Sequence, residues 1–137
     1  MTDFTLEKPL PIPTPTSRPF WDGLEAGEVR LQRCDDCKAW VFYPRSRCSS
    51  CLSDNLTWQT VSGEGTLYTF TLTRQPTSPH FADDVPQKLA VVELDEGVRI
   101  TSTLVNVEHE ATTIGMRVKP VFDKMADGIT LIRFEPA

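Results

Sequence analysis

The placement of four cysteines constrains this chain more than any other feature. Cys34 and Cys37 form one C-x2-C pair, Cys48 and Cys51 form a second, and ten residues separate the pairs. Two residues between cysteines let both thiolates turn onto one ion from a tight knuckle. Two such knuckles supply the four sulfurs that tetrahedral zinc prefers. The spacer is shorter than some zinc-site templates, yet it has room for a short β-hairpin, and Ala39 to Tyr43 provides the strand-forming Trp40, Val41, Phe42 and Tyr43. Lys38, Arg45 and Arg47 lie near the thiolates in sequence and would offset the double negative charge of such a centre. Four thiolates also accept iron. A thioredoxin-type redox pair needs a single C-x2-C in an α/β context, and paired disulfides suit a secreted chain; neither context is present. With all four ligands supplied by protein, no position is left for substrate or activated water. One structural zinc per chain is therefore expected, contributing on the order of 10 kcal/mol to folding of the segment.

Outside the cysteine segment the texture is mainly β. Five prolines between Glu7 and Pro19 favour an extended arm, either a disordered tail or a strap lying on a partner. Ser17 to Gly27 predicts a short helix, with Ser17 as N-cap, Pro19 near the first turn and Gly27 as the stop. Phe20 and Leu24 share one face of it, with Trp21 beside them. That face either packs on the protein or, led by Phe20 and Trp21, anchors an interface. Alternation and β-rich composition predict strands at Glu28–Arg33, Leu67–Thr73, Leu89–Leu94, Val98–Val105, Arg117–Phe122 and Ile129–Phe134, while Leu56 to Val61 starts a different texture after the second cysteine pair. Asp95-Glu96-Gly97 suits a hairpin loop, Asp127-Gly128 suits a turn, and Pro120 marks an edge, a bulge or a misread boundary. About five short strands in one small unit fit a closed or partly open barrel, with a small sandwich as the competing architecture.

Charge separates function classes. The chain carries a formal net charge of −5, which disfavours broad contact with nucleic acid or an anionic membrane. From Arg30 to Arg47 five bases face two acids, whereas from Pro76 onward six bases face ten acids. The cysteine segment is thus a basic island on an acidic chain, either a solvated face or a docking patch for phosphates or an acidic partner. No apolar run approaches the length of a membrane span, and the first residues carry acids where a signal peptide carries positive charge, so a cytoplasmic protein is expected.

The motifs of catalysis are incomplete. Gly63-Glu64-Gly65 is too short for a dinucleotide fingerprint. His109-Glu110 starts like a zinc-protease helix, but Thr113 stands where the second ligand belongs. His80 falls in a loop, and Glu64 lies between two glycines at a turn. Both cysteine pairs are assigned to metal, so no nucleophilic thiol remains. The sequence predicts no catalytic residue.

Longer strings of residues carry a resemblance. Pro19-Phe-Trp-x-Gly-Leu, Gly27-x-Val-x-Leu-Gln-Arg-Cys-x-x-Cys, Tyr43-Pro-Arg-x-x-Cys-x-x-Cys and Gly63-x-Gly-Thr-Leu-Tyr-Thr-Phe-Thr resemble the first half of the DUF35 family. Val92-Glu-Leu-Asp-Glu-Gly-Val-Arg and Ile114-Gly-Met-x-Val resemble its second half, so the likeness runs over about residues 17 to 134. Lys38 departs from a glycine common after the knuckle, and Ser49 from a proline. The resemblance implies a short N-terminal helical segment (1–27, with the arm), a rubredoxin-like zinc ribbon (28–55) and a C-terminal OB-fold barrel (56–137). It implies a non-catalytic scaffold subunit beside a thiolase-like enzyme (thiolase, acyltransferase or steroid side-chain aldolase) or a hot-dog-fold hydratase acting on acyl-CoA. A hetero-oligomer is the expected assembly, and dimeric thiolase-like partners would suggest a two-plus-two form. Cys34, Cys37, Cys48 and Cys51 carry over as ligands. Arg45 and Arg47 are candidate contacts for coenzyme A phosphates, and Phe20 and Trp21 for the partner. A stand-alone acyl-CoA binder and a single-stranded nucleic-acid-binding OB fold are the alternatives, the latter opposed by the acidity of the barrel segment.

Overall fold

A computed structural model describes residues 9–76 and 78–137. The acidic first residues and the start of the proline arm lie outside the described residues. Helix α1 spans Arg18–Glu25 and buries Phe20, Gly23 and Leu24. Ser17 occupies the N-cap position but makes no side-chain cap bond. Its hydroxyl instead accepts from the Thr14 amide at 2.9 Å, so it closes the preceding turn rather than the helix. The expected stop at Gly27 is present, at φ 78°, a left-handed conformation that glycine adopts without steric cost.

The next three strands form a small antiparallel sheet. Strand β1 (Val29–Cys34) lies between β2 (Trp40–Val41) and β3 (Leu56–Val61). The expected strand at Ala39–Tyr43 shortens to two paired residues, Gln32 opposite Val41 and Arg33 opposite Trp40. Strand β3, which falls in the segment expected to form the barrel, pairs along its whole length with β1, from Val29 opposite Val61 to Cys34 opposite Leu56. The ribbon sheet therefore runs on to Val61. The local texture of Leu56 to Val61 carries no information about a strand partner.

The remaining strands, β4 (Gly65–Thr73), β5 (Gln87–Leu94), β6 (Arg99–Leu104), β7 (Arg117–Lys124) and β8 (Thr130–Pro136), close into a barrel of order β4-β5-β6-β8-β7. Closure excludes the sandwich. The β6–β8 contact is parallel and is registered at Leu104 opposite Phe134. Pro120 sits inside β7 opposite Phe134 of β8. Strand β7 meets β4 through Arg117 and Val118, so beyond them its far side has no ladder bond for a proline to interrupt. Inward residues of β5 alternate as Lys88, Ala90, Val92 and Leu94. The core joins the last three of these to Leu67, Ile100, Leu104, Val118 and Phe134. Leu31 of β1 is a member of the same cluster, while Phe20, Leu24 and Val29 pack with Trp58, Phe122 and Ile132. Ribbon, helix and barrel thus share apolar contacts. No helix among the described residues is long and apolar enough to cross a membrane.

Two barrel contacts lead to direct tests. At Gly65 a Cβ would stand 2.4 Å from the Glu93 carbonyl oxygen and 2.9 Å from the Leu94 Cα, both backbone. Gly65→Ala is expected to force β4 from β5 and cost about 1–3 kcal/mol or more, read as a lowered urea midpoint. At the same end Arg117 grips Asp95 with two bonds of 2.8 and 3.1 Å. The Arg117 guanidinium holds the Asp95 carboxyl below its usual range. A depressed folded-state value stabilises above the unfolded carboxylate value and loses that contribution as pH falls through the folded one. Asp95→Asn should therefore be slightly less stable than wild type at neutral pH. The two should converge in acid, which thermal melts across the carboxylate range would show.

Candidate metal centre

The four cysteines come together at one end of the ribbon sheet. All four Sγ atoms lie within 4.8 Å of one another. Cys34 Sγ is 3.6 Å from Cys51 Sγ, and Cys37 Sγ is 3.5 Å from Cys48 Sγ. These separations far exceed a disulfide bond of about 2.05 Å and approach the S···S edge of about 3.8 Å in a tetrahedral zinc tetrathiolate, given Zn–S bonds of about 2.3 Å. The donor set therefore fits a tetrahedral thiophilic ion.

The two knuckles repeat one another. In the first, the Lys38 amide donates to the Cys34 carbonyl at 2.9 Å and the Cys34 amide to the Ala39 carbonyl at 2.9 Å. In the second, the Leu52 amide donates to the Cys48 carbonyl at 2.9 Å and the Cys48 amide to the Ser53 carbonyl at 2.8 Å. The residue after each pair, Lys38 or Leu52, takes positive φ, at 66° and 65°. That conformation explains why glycine suits the Lys38 position. Cys34 and Cys48 are buried and Cys37 and Cys51 exposed, so each knuckle contributes one inner and one outer sulfur.

Backbone amides aim at the sulfurs. The Cys37 amide donates to Cys34 Sγ at 3.4 Å and the Ser50 amide to Cys48 Sγ at 3.3 Å. The Cys51 and Ser50 amides lower the Cys48 thiol to about 6 against the opposing effect of burial. The Cys37 amide likewise lowers Cys34. Cys51 moves the other way, to about 12: the Ser53 amide lowers it, but the neighbouring Cys34, Cys37 and Cys48 sulfurs together with burial outweigh that amide. Such a cluster resists holding four negative sulfurs unaided, and a bound dication would supply the missing charge.

Polar contacts brace the centre. Ser53 Oγ donates to Asp36, and Thr57 Oγ1 to Asp35 at 2.5 Å, linking the first knuckle to the second and to β3. Gln32, buried on β1, clasps the Arg45 backbone: its Nε2 donates to the carbonyl and its Oε1 accepts from the amide, both at 2.8 Å. The sequence offered no local signal for this clasp, which fixes the chain between the knuckles. Arg47 is exposed and its Nη1 donates to the Leu52 carbonyl at 3.2 Å. Arg45 is also exposed, with its main chain held and its side chain at the surface. Arg33 Nε donates to the Lys38 carbonyl at 3.1 Å, and its guanidinium stands 4.9 Å from the Trp40 ring centre.

Phe20, expected as a possible interface anchor, is 2% exposed. Its ring contacts Trp21, Phe42 and Tyr43 at centroid distances of 5.2, 5.6 and 6.2 Å, so it belongs to the core. Trp21 is half-buried and its Nε1 donates to Tyr43 Oη at 3.2 Å, while Tyr43 is 44% exposed. The aromatic surface near α1 therefore centres on Trp21 and Tyr43. His80 lies in a short 3-10 turn with Nδ1 3.2 Å from Ser78 Oγ, and His109 lies in another with its ring 6.1 Å from Phe70. The structure does not bring these histidines and Glu64 into one group with the thiolates.

Comparison with known proteins agrees with this anatomy. Residues 21–57 match the model for the rubredoxin-like zinc ribbon domain of ChsH2, and residues 58–123 match that for its C-terminal OB-fold domain. The chain is 34% identical to a probable enoyl-CoA hydratase alpha subunit of Thermomonospora curvata over 99% of its own length, but spans only 44% of that relative. It is 32% identical to a DUF35 domain-containing scaffold protein of Methanothermobacter thermautotrophicus, covering 69% of this chain and 71% of that one. A solved structure described as an Ltp2-ChsH2(DUF35) aldolase contains a chain that superposes with a TM-score of 0.81 at 27% identity, covering 92% of this chain and 98% of that one. The zinc-ribbon match precedes the OB-fold match as the ribbon sheet precedes the barrel, and the chain belongs to the DUF35 family.

Proposed function

We propose that this chain is a non-catalytic scaffold subunit of an acyl-CoA-processing complex, partnering a thiolase-like enzyme, an aldolase or a hydratase. The observation that carries the proposal is the near end-to-end likeness to the chain in the Ltp2-ChsH2(DUF35) aldolase. The relative named as an enoyl-CoA hydratase alpha subunit supports the same substrate class. Cys34, Cys37, Cys48 and Cys51 hold one structural zinc, and the metal stiffens the ribbon rather than meeting substrate. Trp21 and Tyr43 face the partner, since half-exposed aromatics concentrate binding energy at interfaces. Arg45, with Arg47 beside it, meets coenzyme A phosphates at a shared site. The chain divides into an arm with helix, a ribbon and a barrel, with the ribbon sheet extending to Val61 and the barrel starting at Gly65.

Native mass spectrometry of the protein purified gently from its own cells tests this function. A stable complex with a thiolase-like or hydratase chain, plus one zinc per copy, is the expected result. A zinc-bound monomer without partner would reject the subunit role. Unchanged CoA-ester affinity of the assembled complex after charge removal at both arginines would reject the phosphate contacts alone.

A further inference from the structure

Among the described residues, Lys88 is the one charged side chain that is more than nine-tenths buried, at 8% exposure. It occupies an inward position of β5, opposite Leu72 of β4 and Leu104 of β6. Its ammonium donates to the Val107 carbonyl. None of the ion pairs among the described residues includes it. An ammonium taken from water without an opposite charge is destabilised unless its donors are met. One acceptor satisfies one of three N–H groups.

A solvent-open groove lies at the barrel end around Lys88. Its volume is about 780 Å³, and Lys88, Leu104, Val107, His109, Val121 and Arg133 line it. It adjoins a more enclosed chamber of about 270 Å³ walled by Leu10, Phe81, Leu89, Met125 and Leu131. Gln87, Thr103, Asp84 and Arg133 line both. Three carboxylates also border the groove. Asp123 is bound to Arg133 Nε at 2.7 Å, Glu108 is exposed, and Asp84 is already engaged in an interaction of its own. Arg133 is likewise held, by Asp123 and by Thr103 Oγ1 at 2.8 Å. The positive charge left without an ion-pair partner is that of Lys88.

We propose that this groove and the adjoining chamber together bind a monoanionic carboxylate with a short apolar body. The carboxylate accepts from the Lys88 ammonium, a charge-assisted bond that offsets the cost of burying it. The apolar body enters the chamber behind Arg133, in keeping with preformed pockets that pair apolar walls with a few placed polar groups. One unmatched positive charge suits a monoanion better than a phosphate dianion. The site is independent of the subunit reading, because it lies within one chain and is tested without a partner.

The test is a titration of the full zinc-loaded chain, followed by amide NMR, with octanoate, 1-octanol and inorganic phosphate. Octanoate is expected to give saturable shifts at Lys88, Thr103 and Val107. The neutral and the tail-less probes should bind about tenfold more weakly, as loss of one charge-assisted bond or of the apolar contact implies. Lys88→Met should weaken octanoate about tenfold and Lys88→Arg should restore most of it. Equal binding of 1-octanol, equal binding of phosphate, or no saturable shift at these amides would overturn the proposal. If Lys88→Met does not fold, the comparison of three probes on the unaltered chain still decides.

Discussion

Cys48→Ser is expected to abolish stoichiometric zinc and to lower the melting temperature by on the order of 10 °C or more. Structural zinc contributes roughly 10 kcal/mol or more to folding of such a segment, comparable with the whole stability of a domain, about 5–15 kcal/mol. Cys48 is fully buried and packs with Cys34, Val41, Ala39 and Leu56, so the loss falls on the centre of the ribbon. It should not stop there. Strand β1 carries Cys34 at one end and Leu31 in the barrel core. A ribbon that loses its metal therefore loosens a wall of the barrel as well. Metal analysis with differential scanning calorimetry would show both losses, and a variant with one zinc and an unshifted melt would refute the assignment. Chelation of the wild-type protein should give the same melt as the variant.

Phe134→Ala should produce the other large effect. Phe134 is fully buried, and at the seam where β6 meets β8 its carbonyl accepts from the Val105 amide at 2.8 Å. Truncating a buried phenylalanine costs about 3–5 kcal/mol, from lost transfer energy and the cavity left behind. Because the seam is registered at a single residue pair, little ladder bonding is available to hold it if the ring is removed. Phe122→Ala, at a half-buried position on the neighbouring strand, should cost distinctly less. Denaturant unfolding of both variants would separate these outcomes, and equal midpoints would contradict the role assigned to the seam.

What was legible in the sequence was what depends on near neighbours. The two knuckles follow from residues three apart, and the alternation of Ala90, Val92 and Leu94 follows from the two-residue period of a strand. The turn at Asp95–Gly97 and the stop at Gly27 follow from turn chemistry. What escaped depends on contacts distant in sequence. The pairing of β3 with β1, the closure of β6 on β8 and the clasp of Gln32 on Arg45 each join segments whose local patterns do not name a partner. Phe20 looked the same as an anchor or as core until Phe42, Tyr43 and Val29 surrounded it. Lys88 carried no signal either, since a lysine on a strand is ordinarily turned outward.

The packing of α1 also bears on how the chain is made. Helix α1 is synthesised before the barrel, yet its apolar face is covered by Phe122 of β7 and Ile132 of β8. Glu25 likewise accepts its hydrogen bond from Thr130, 105 residues onward. A ribosome that has released the helix and the ribbon has therefore released Phe20 and Leu24 with much of their shelter still inside the exit tunnel. Nascent chains should keep the apolar face of α1 sticky until β8 has left the tunnel. Chaperone capture during synthesis should concentrate on that helix and end once β8 has emerged and packed.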